Sequence, residues 1–313
     1  VDITALLSQV ATDVEYSPYG LKNLGPAQIA EVRRALSAPA LREAALAVLA
    51  ALGEPFDHGL VPAETPRQMV CCESWYAVRT TDQEAVLEAF GYSSPIPVTM
   101  LMGHLAWRYD GGRYGGCLDH ERVYVSPALN GWTLVLGIPS ADYHRTGALA
   151  EGEEDPWRTK QMFADEAVHR ALIHERCTEF SRRFGAAHHY FLNHGDSQTS
   201  WYIAENGEVV RAYEIELPQE QIGEPEAGYR LPHEPPPWSH DAFADIEHLS
   251  GTHEYAEKFF ERCRQLKAEH NLPDTCDAYT IAGLRSVLPG KIGPGTEVVG
   301  RGVLARTACG GPA

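Results

Sequence analysis

This chain lacks the short signatures that announce a reaction. It has no G-x-S-x-G nucleophile elbow, no H-E-x-x-H zinc helix, no Walker lysine loop, and no deaminase H-x-E with its P-C-x-x-C. Its 7 cysteines include no C-x-x-C spacing. The adjacent pair Cys71-Cys72 would point to opposite faces of a strand, so the pattern fits neither a disulfide framework nor a zinc site. No run approaches the roughly 18 apolar residues of a membrane span. Asp2, Asp13 and Glu15 stand where a secretion signal needs an apolar centre. These absences predict a reduced, cytoplasmic protein with no metal and no cofactor.

Positive charge is also short. The net charge of −17 would repel a phosphate backbone or an anionic lipid surface, which argues against nucleic acid and membrane as partners. The negative excess is greatest over residues 71–216. That surface either attracts a basic protein partner or keeps a globular protein soluble.

What is present is architecture. At 313 residues and 44% hydrophobic content the chain can bury a substantial core. Residues 1–70 read as a helical segment and linker: Pro26 can open a helix, and Leu41, Ala45, Val48 and Leu52 recur at helical spacing before Gly53. Residues 71–216 read as a central α+β domain, 217–240 as a proline-rich connector, and 241–313 as a helical segment with a terminal strand. In the last segment Tyr255–His270 is amphipathic, with Phe259, Phe260, Cys263 and Leu266 on its apolar side. The glycines from Gly293 to Gly302, beside Lys291, alternate with valines and predict turns and a strand rather than a phosphate loop.

The central region carries an ordered repetition. Phe90-Gly91 then Asn130-Gly131 is followed by Phe184-Gly185 then Asn206-Gly207. In each case a helical pattern ends at Phe-Gly and a hairpin turns at Asn-Gly. The expected fold class is therefore α+β, with a mixed or mainly antiparallel sheet built from two related helix-strand-hairpin half-units, 71–140 and 155–216. Within them, Thr81 and Glu84 have capping-box spacing, Val98–Trp107 reads as a strand, and Asp155 with Pro156 can start the second helix. Pro127 should bend its strand or place it at an edge. The two-residue turn at Asn206-Gly207 puts Ile203 opposite Val210 and Tyr202 opposite Arg211, with Trp201 and Tyr202 on opposite faces.

Three groups of residues could carry chemistry. His194 and Asp196, two apart around Gly195, can place a carboxylate beside an imidazole, which is what a general base needs. His188 and His194 share a strand face but lie about 20 Å apart, too far for one metal ion. His120, in Asp119-His120-Glu121-Arg122, occupies the corresponding loop of the first half-unit and could frame the same cleft. Tyr202, Arg211 and Trp201 are the candidate substrate-binding residues, because a guanidinium beside a ring can hold a carboxylate. Cys276 is flanked by Asp274 and Asp277, whose charge disfavours a thiolate nucleophile.

The resulting expectation is a metal-independent enzyme that acts on a small molecule or peptide by acid and base catalysis between the half-units, with His194, Asp196 and His120 catalytic. The alternatives are an acidic interaction protein that neutralises a basic partner, and an accessory substrate-binding protein.

Overall fold

The computed structural model describes residues 1–70, 74–111, 122–136, 160–193 and 197–307. In chain order the elements are α1 (Ile3–Thr12), α2 (Pro26–Ala35), α3 (Pro39–Leu52), β1 (Ser74–Val78), α4 (Gln83–Phe90), β2 (Ser93–Val98), α5 (Met100–Gly111), β3 (Arg122–Leu129), β4 (Trp132–Leu136), α6 (Lys160–Phe184), β5 (Ala186–Asn193), β6 (Gln198–Glu205), β7 (Glu208–Glu214), β8 (Tyr229–Arg230), α7 (His253–Glu269), β9 (Asp274–Thr275), α8 (Ala278–Arg285), β10 (Val298–Val299) and β11 (Gly302–Arg306).

Helices combine with one 9-stranded sheet of order β2-β11-β3-β4-β1-β5-β6-β7, to which β10 adds beside β3. Every neighbouring pair in it is antiparallel, so the α+β class with a mainly antiparallel sheet holds. Strand alternation sends side chains to two separate cores. Trp75, Ala77, Tyr190, Trp201 and Ile203 join the large cluster with α1, α2, α3, α5 and α8. Tyr76, Val78, Ala187, Tyr202 and Ala204 join the smaller cluster under α4 and α6. Trp201 and Tyr202 thus lie on opposite faces, as the strand period requires.

Both Phe-Gly sites end helices: Gly91 caps α4 at φ 69° and Gly185 follows α6 at φ 87°, a conformation that costs a residue with a Cβ atom about 1 kcal/mol. Both Asn-Gly pairs turn with positive φ at each residue, joining β3 to β4 and β6 to β7. The strands after the two caps occupy different places. Gly91 leads to the edge strand β2 and then α5, whereas Gly185 leads directly to the interior strand β5.

Several local expectations are corrected. Val98–Trp107 is not a strand; α5 begins at Met100, whose amide donates to the Glu64 carboxylate at 2.9 Å. A run that is apolar but for one histidine fits a fully buried helix as well as a strand, and Met100, Leu101, Met102, Leu105 and Ala106 are all buried. Trp107 accordingly marks a helix. The N-cap of α4 is Asp82, accepting from the Ala85 amide at 3.0 Å, and not Thr81. Phe260 points to solvent, 65% exposed. The helix α1, capped by Asp2 and burying Ile3, Leu7 and Val10, precedes the helix start marked by Pro26. Asp155, Pro156 and the Cys71-Cys72 pair lie outside the described residues.

The most consequential correction is in the β6–β7 hairpin. Its register runs Glu205 to Glu208 and Ala204 to Val209, then shifts, so that Ile203 meets Arg211 and Tyr202 meets Ala212. Val210 is the extra residue of a bulge. The expected pairs Ile203 with Val210 and Tyr202 with Arg211 do not form, and Arg211 faces the large core. A comparable shift between Val125 and Ala128 accommodates Pro127 in β3, which is bent but interior.

Two glycines make room for one ring. A Cβ on Gly103 of α5 would sit 2.1 Å from the Tyr124 ring, and one on Gly302 of β11 would sit 2.6 Å from it. Tyr124 is fully buried. Gly103→Ala should cost about 1–3 kcal/mol by overpacking, measured by urea denaturation, with Tyr124→Ala relieving part of that cost in the double variant.

Candidate functional site

The polar side chains of the sheet fall into two groups, one on each face. On the α6 face, His189 of β5 lies directly between Tyr76 of β1 and Tyr202 of β6. Arg170, His174 and Thr178 follow one another at four-residue spacing on α6 and so share a helix face. The His174 ring stacks on Tyr202 with centroids 4.0 Å apart, and the Thr178 hydroxyl lies 3.3 Å from the Tyr202 hydroxyl. Arg170 pairs with Glu214 at 3.6 Å. The cavity among these groups is about 80 Å³, which accommodates a few waters and not a metabolite.

On the opposite face, β1, β5, β6 and β7 carry two rows at matching register. Trp75, Tyr190, Trp201 and Tyr213 form one row, and Ala77, His188, Ile203 and Arg211 the next. The Trp75 and Tyr190 rings stack at 5.2 Å, and those of Trp201 and Tyr213 at 4.5 Å. A hydrogen-bonded chain leaves this layer: His188 Nδ1 is 3.0 Å from the Tyr190 hydroxyl, which is 2.9 Å from Ser286 Oγ at the end of α8. His188 and Tyr190 are buried, whereas Ser286 is half-buried and lines a groove of about 460 Å³. Asn130, Tyr229, Thr280, Lys291 and Thr296 also line it.

Two proton arrangements satisfy this chain. If His188 donates from Nδ1, Tyr190 donates onward to Ser286 and the serine proton is directed to the Ala282 carbonyl, 3.4 Å away. In the reverse arrangement Ser286 donates inward and Nε2 carries the histidine proton. The Nε2 atom is buried with no hydrogen-bond partner among the described residues.

Burial sets the titration of these groups. It pulls His188 down to about 3, aided by the charges of Arg285 and Arg79. It pulls His189 down to about 3, with His169, Arg176 and His174 adding to the shift. His174 is lowered by burial and by Arg170, and the Tyr190 and Tyr202 phenols are raised by burial. Burial pushes the Cys276 thiol up to about 12, with the carboxylates of Asp277 and Glu226 contributing less.

Among the residues singled out in the sequence, the structure separates Tyr202 and Arg211. Tyr202 belongs to the small α6 cavity. Arg211 lies on the other face, its guanidinium 5.8 Å from the Tyr213 ring. Trp201 packs on Tyr213 in the large core. His120, His194 and Asp196 lie outside the described residues. No group of three or more His, Cys, Asp or Glu among the described residues could hold a metal ion. No described helix is long and apolar enough to cross a membrane. Sequence reasoning missed Ser286, which reaches the groove at the end of α8, and considered Lys291 only beside the glycine stretch; the four-residue spacing of Arg170, His174 and Thr178 was a usable signal for the other face.

No protein-family model matches the chain, and no curated protein or solved structure matches it either.

The depressed histidines tie stability to pH. A histidine that stays neutral in the fold but binds a proton near pH 6.5 when unfolded stabilises fully above that value, and this contribution disappears as pH falls toward its folded value near 3. Between pH 7 and 5.5 His188 and His189 should each remove about 1 kcal/mol of unfolding free energy. Denaturation of His189→Gln at the two pH values should show a drop smaller by about that amount than the native chain shows.

Proposed function

We propose that this chain binds a small anionic, hydroxyl-bearing molecule in the groove beside α8, in the manner of an accessory substrate-binding protein. The observation that carries this reading is the chain from His188 through Tyr190 to Ser286, which ends on the wall of a groove of metabolite size. In the arrangement where Tyr190 donates to Ser286, the serine oxygen is held in place and its proton has only the long 3.4 Å contact to the Ala282 carbonyl to give up when a ligand accepts from it. Lys291 adds an exposed ammonium, which forms no ion pair among the described residues. The groove therefore suits one acidic group and a few hydroxyls.

Magnitudes favour binding over catalysis for these residues. A general base works best with a pKa near the operating pH, and His188 lies far below it, so Ser286 would gain little as a nucleophile. Acid and base catalysis by His194, Asp196 and His120 is a second proposal, which rests on their sequence pattern alone. We also propose that residues 71–140 and 155–216 are related half-units, a reading supported by the shared glycine cap and Asn-Gly turn.

A thermal-shift screen of carboxylate- and phosphate-bearing metabolites tests the binding reading. A ligand that raises the melting temperature should bind about 10-fold more weakly to Lys291→Ala and several-fold more weakly to Ser286→Ala, as expected for losing one charge-assisted and one neutral hydrogen bond. Ligand binding that both variants leave unchanged would remove the groove from the account.

A further inference from the structure

Arg211 is a buried cation whose hydrogen bonding is one-sided. The residue is 2% exposed. Its Nη1 donates to the carbonyls of Ala212, Ile222 and Gly223 at 3.2, 2.9 and 3.0 Å. Nε and Nη2, which form the opposite edge of the guanidinium, are buried and have no hydrogen-bond partner among the described residues. A guanidinium does not give up its proton in a protein, so the charge remains, and three carbonyl dipoles do not neutralise it.

Two other arginines of this chain show what that edge accepts. Arg122 gives Nε to one Asp110 oxygen at 2.8 Å and Nη2 to the other at 2.9 Å. Arg285 gives the same two atoms to Glu226 at 2.9 and 2.6 Å. The carboxylates whose charge reaches Arg211 form no ion pair with it: Glu226 is held by Arg285, and Glu224 is exposed. The Cys276 thiol also lies close enough to act on Arg211, but burial pushes it up to about 12, so it stays neutral. Tyr213 offers its ring, and the Trp201 indole N–H on the same face is buried and has no hydrogen-bond partner among the described residues.

We propose that the Nε and Nη2 edge of Arg211 is a receptor for the carboxylate of a small organic acid. Planar, bidentate pairing matches this edge, and the adjoining Tyr213 and Trp201 rings suit a flat or apolar body on that acid. Because Nε and Nη2 have no solvent contact, a carboxylate reaches them only when the strap at residues 221–223 lifts. The strap is held on the free edge of β7 by two backbone bonds between Ala212 and Ile222, at 3.0 and 2.9 Å, and by Arg211 itself. Gly223, at φ +74°, lets it approach the Val210 carbonyl more closely than a Cβ would permit. This site is separate from the α8 groove and does not depend on the reading of that groove. The Gln221 side-chain oxygen, next to Ile222 in the strap, is buried with no partner among the described residues and is the internal alternative for Arg211.

The test is thermal unfolding in sodium acetate and sodium benzoate against sodium chloride at equal ionic strength, with inorganic phosphate as a further arm. The native chain should gain roughly 2–4 °C in at least one carboxylate at saturating concentration. Ser286→Ala, Lys291→Ala and Gln221→Ala should keep that gain, whereas Arg211→Lys, which retains charge but not the fork, should lose it. If Arg211→Lys fails to fold, the arginine Nε–H resonances of the native chain give the same answer, since one slowly exchanging resonance should move with carboxylate and not with chloride. The proposal is overturned by any of four results: no carboxylate-specific gain, an equal gain in Arg211→Lys, a gain with phosphate alone, or a gain that appears only in Gln221→Ala.

Discussion

The polar chemistry of this protein depends on one constraint, that the strands β1, β5, β6 and β7 are paired in register while helices cover both of their faces. With most of both faces covered, the histidines, tyrosines and arginine on these strands are buried in a low-dielectric layer, where each needs partners. Register decides which ones. His188 and His189 are neighbours in sequence, yet one joins Tyr190 and Ser286 while the other lies between Tyr76 and Tyr202. The sheet thereby separates two polar systems that a linear reading places together.

The bulge at Val210 shows how narrow this control is. Without the extra residue, a two-residue turn would set Arg211 opposite Tyr202, on the α6 face. With it, Arg211 passes to the face that holds Trp201, Tyr213 and Cys276. One unpaired residue thus moves a positive charge through the sheet and gives the strap at residues 221–223 its anchor. The edge strand β7 would otherwise present its backbone for pairing with another chain, and the Ala212–Ile222 bridge covers part of that edge.

Elements whose cause is local were legible in the sequence. Gly91 and Gly185 end helices because the left-handed cap suits glycine, and Asn206-Gly207 makes its hairpin because positive φ suits both residues. Elements whose cause is tertiary were not. The run from Met100 to Trp107 is apolar except for His104, so neither period distinguishes a strand from a helix, and its burial against α3 and the sheet decides. The bulge has no signature in Val209-Val210-Arg211. Of the candidate site, Tyr202 and Arg211 could be named as side chains but not placed, because their faces depend on that bulge. Ser286 was invisible because its partner, Tyr190, is 96 residues away.

The arginines also alter what the net charge means. Arg33, Arg42, Arg67, Arg108, Arg122 and Arg211 each donate to backbone carbonyls of other segments, at Pro55, Leu36, Ala11, Tyr16, Ala50 and Ile222 among others. They act as clamps between elements. Arg122, for example, joins the start of β3 both to Asp110 of α5 and to the carbonyls at the end of α3, where a cation also meets the negative end of the helix dipole. Positive charge held in this way is drawn inward, so the solvent-facing surface is more acidic than an even distribution of the net charge of −17 would make it. A small anion therefore meets general repulsion at a distance and attraction only at the few places where a cation is presented. For such a protein, selectivity among acids must arise at short range, from the geometry of the donors and not from the field of the whole molecule.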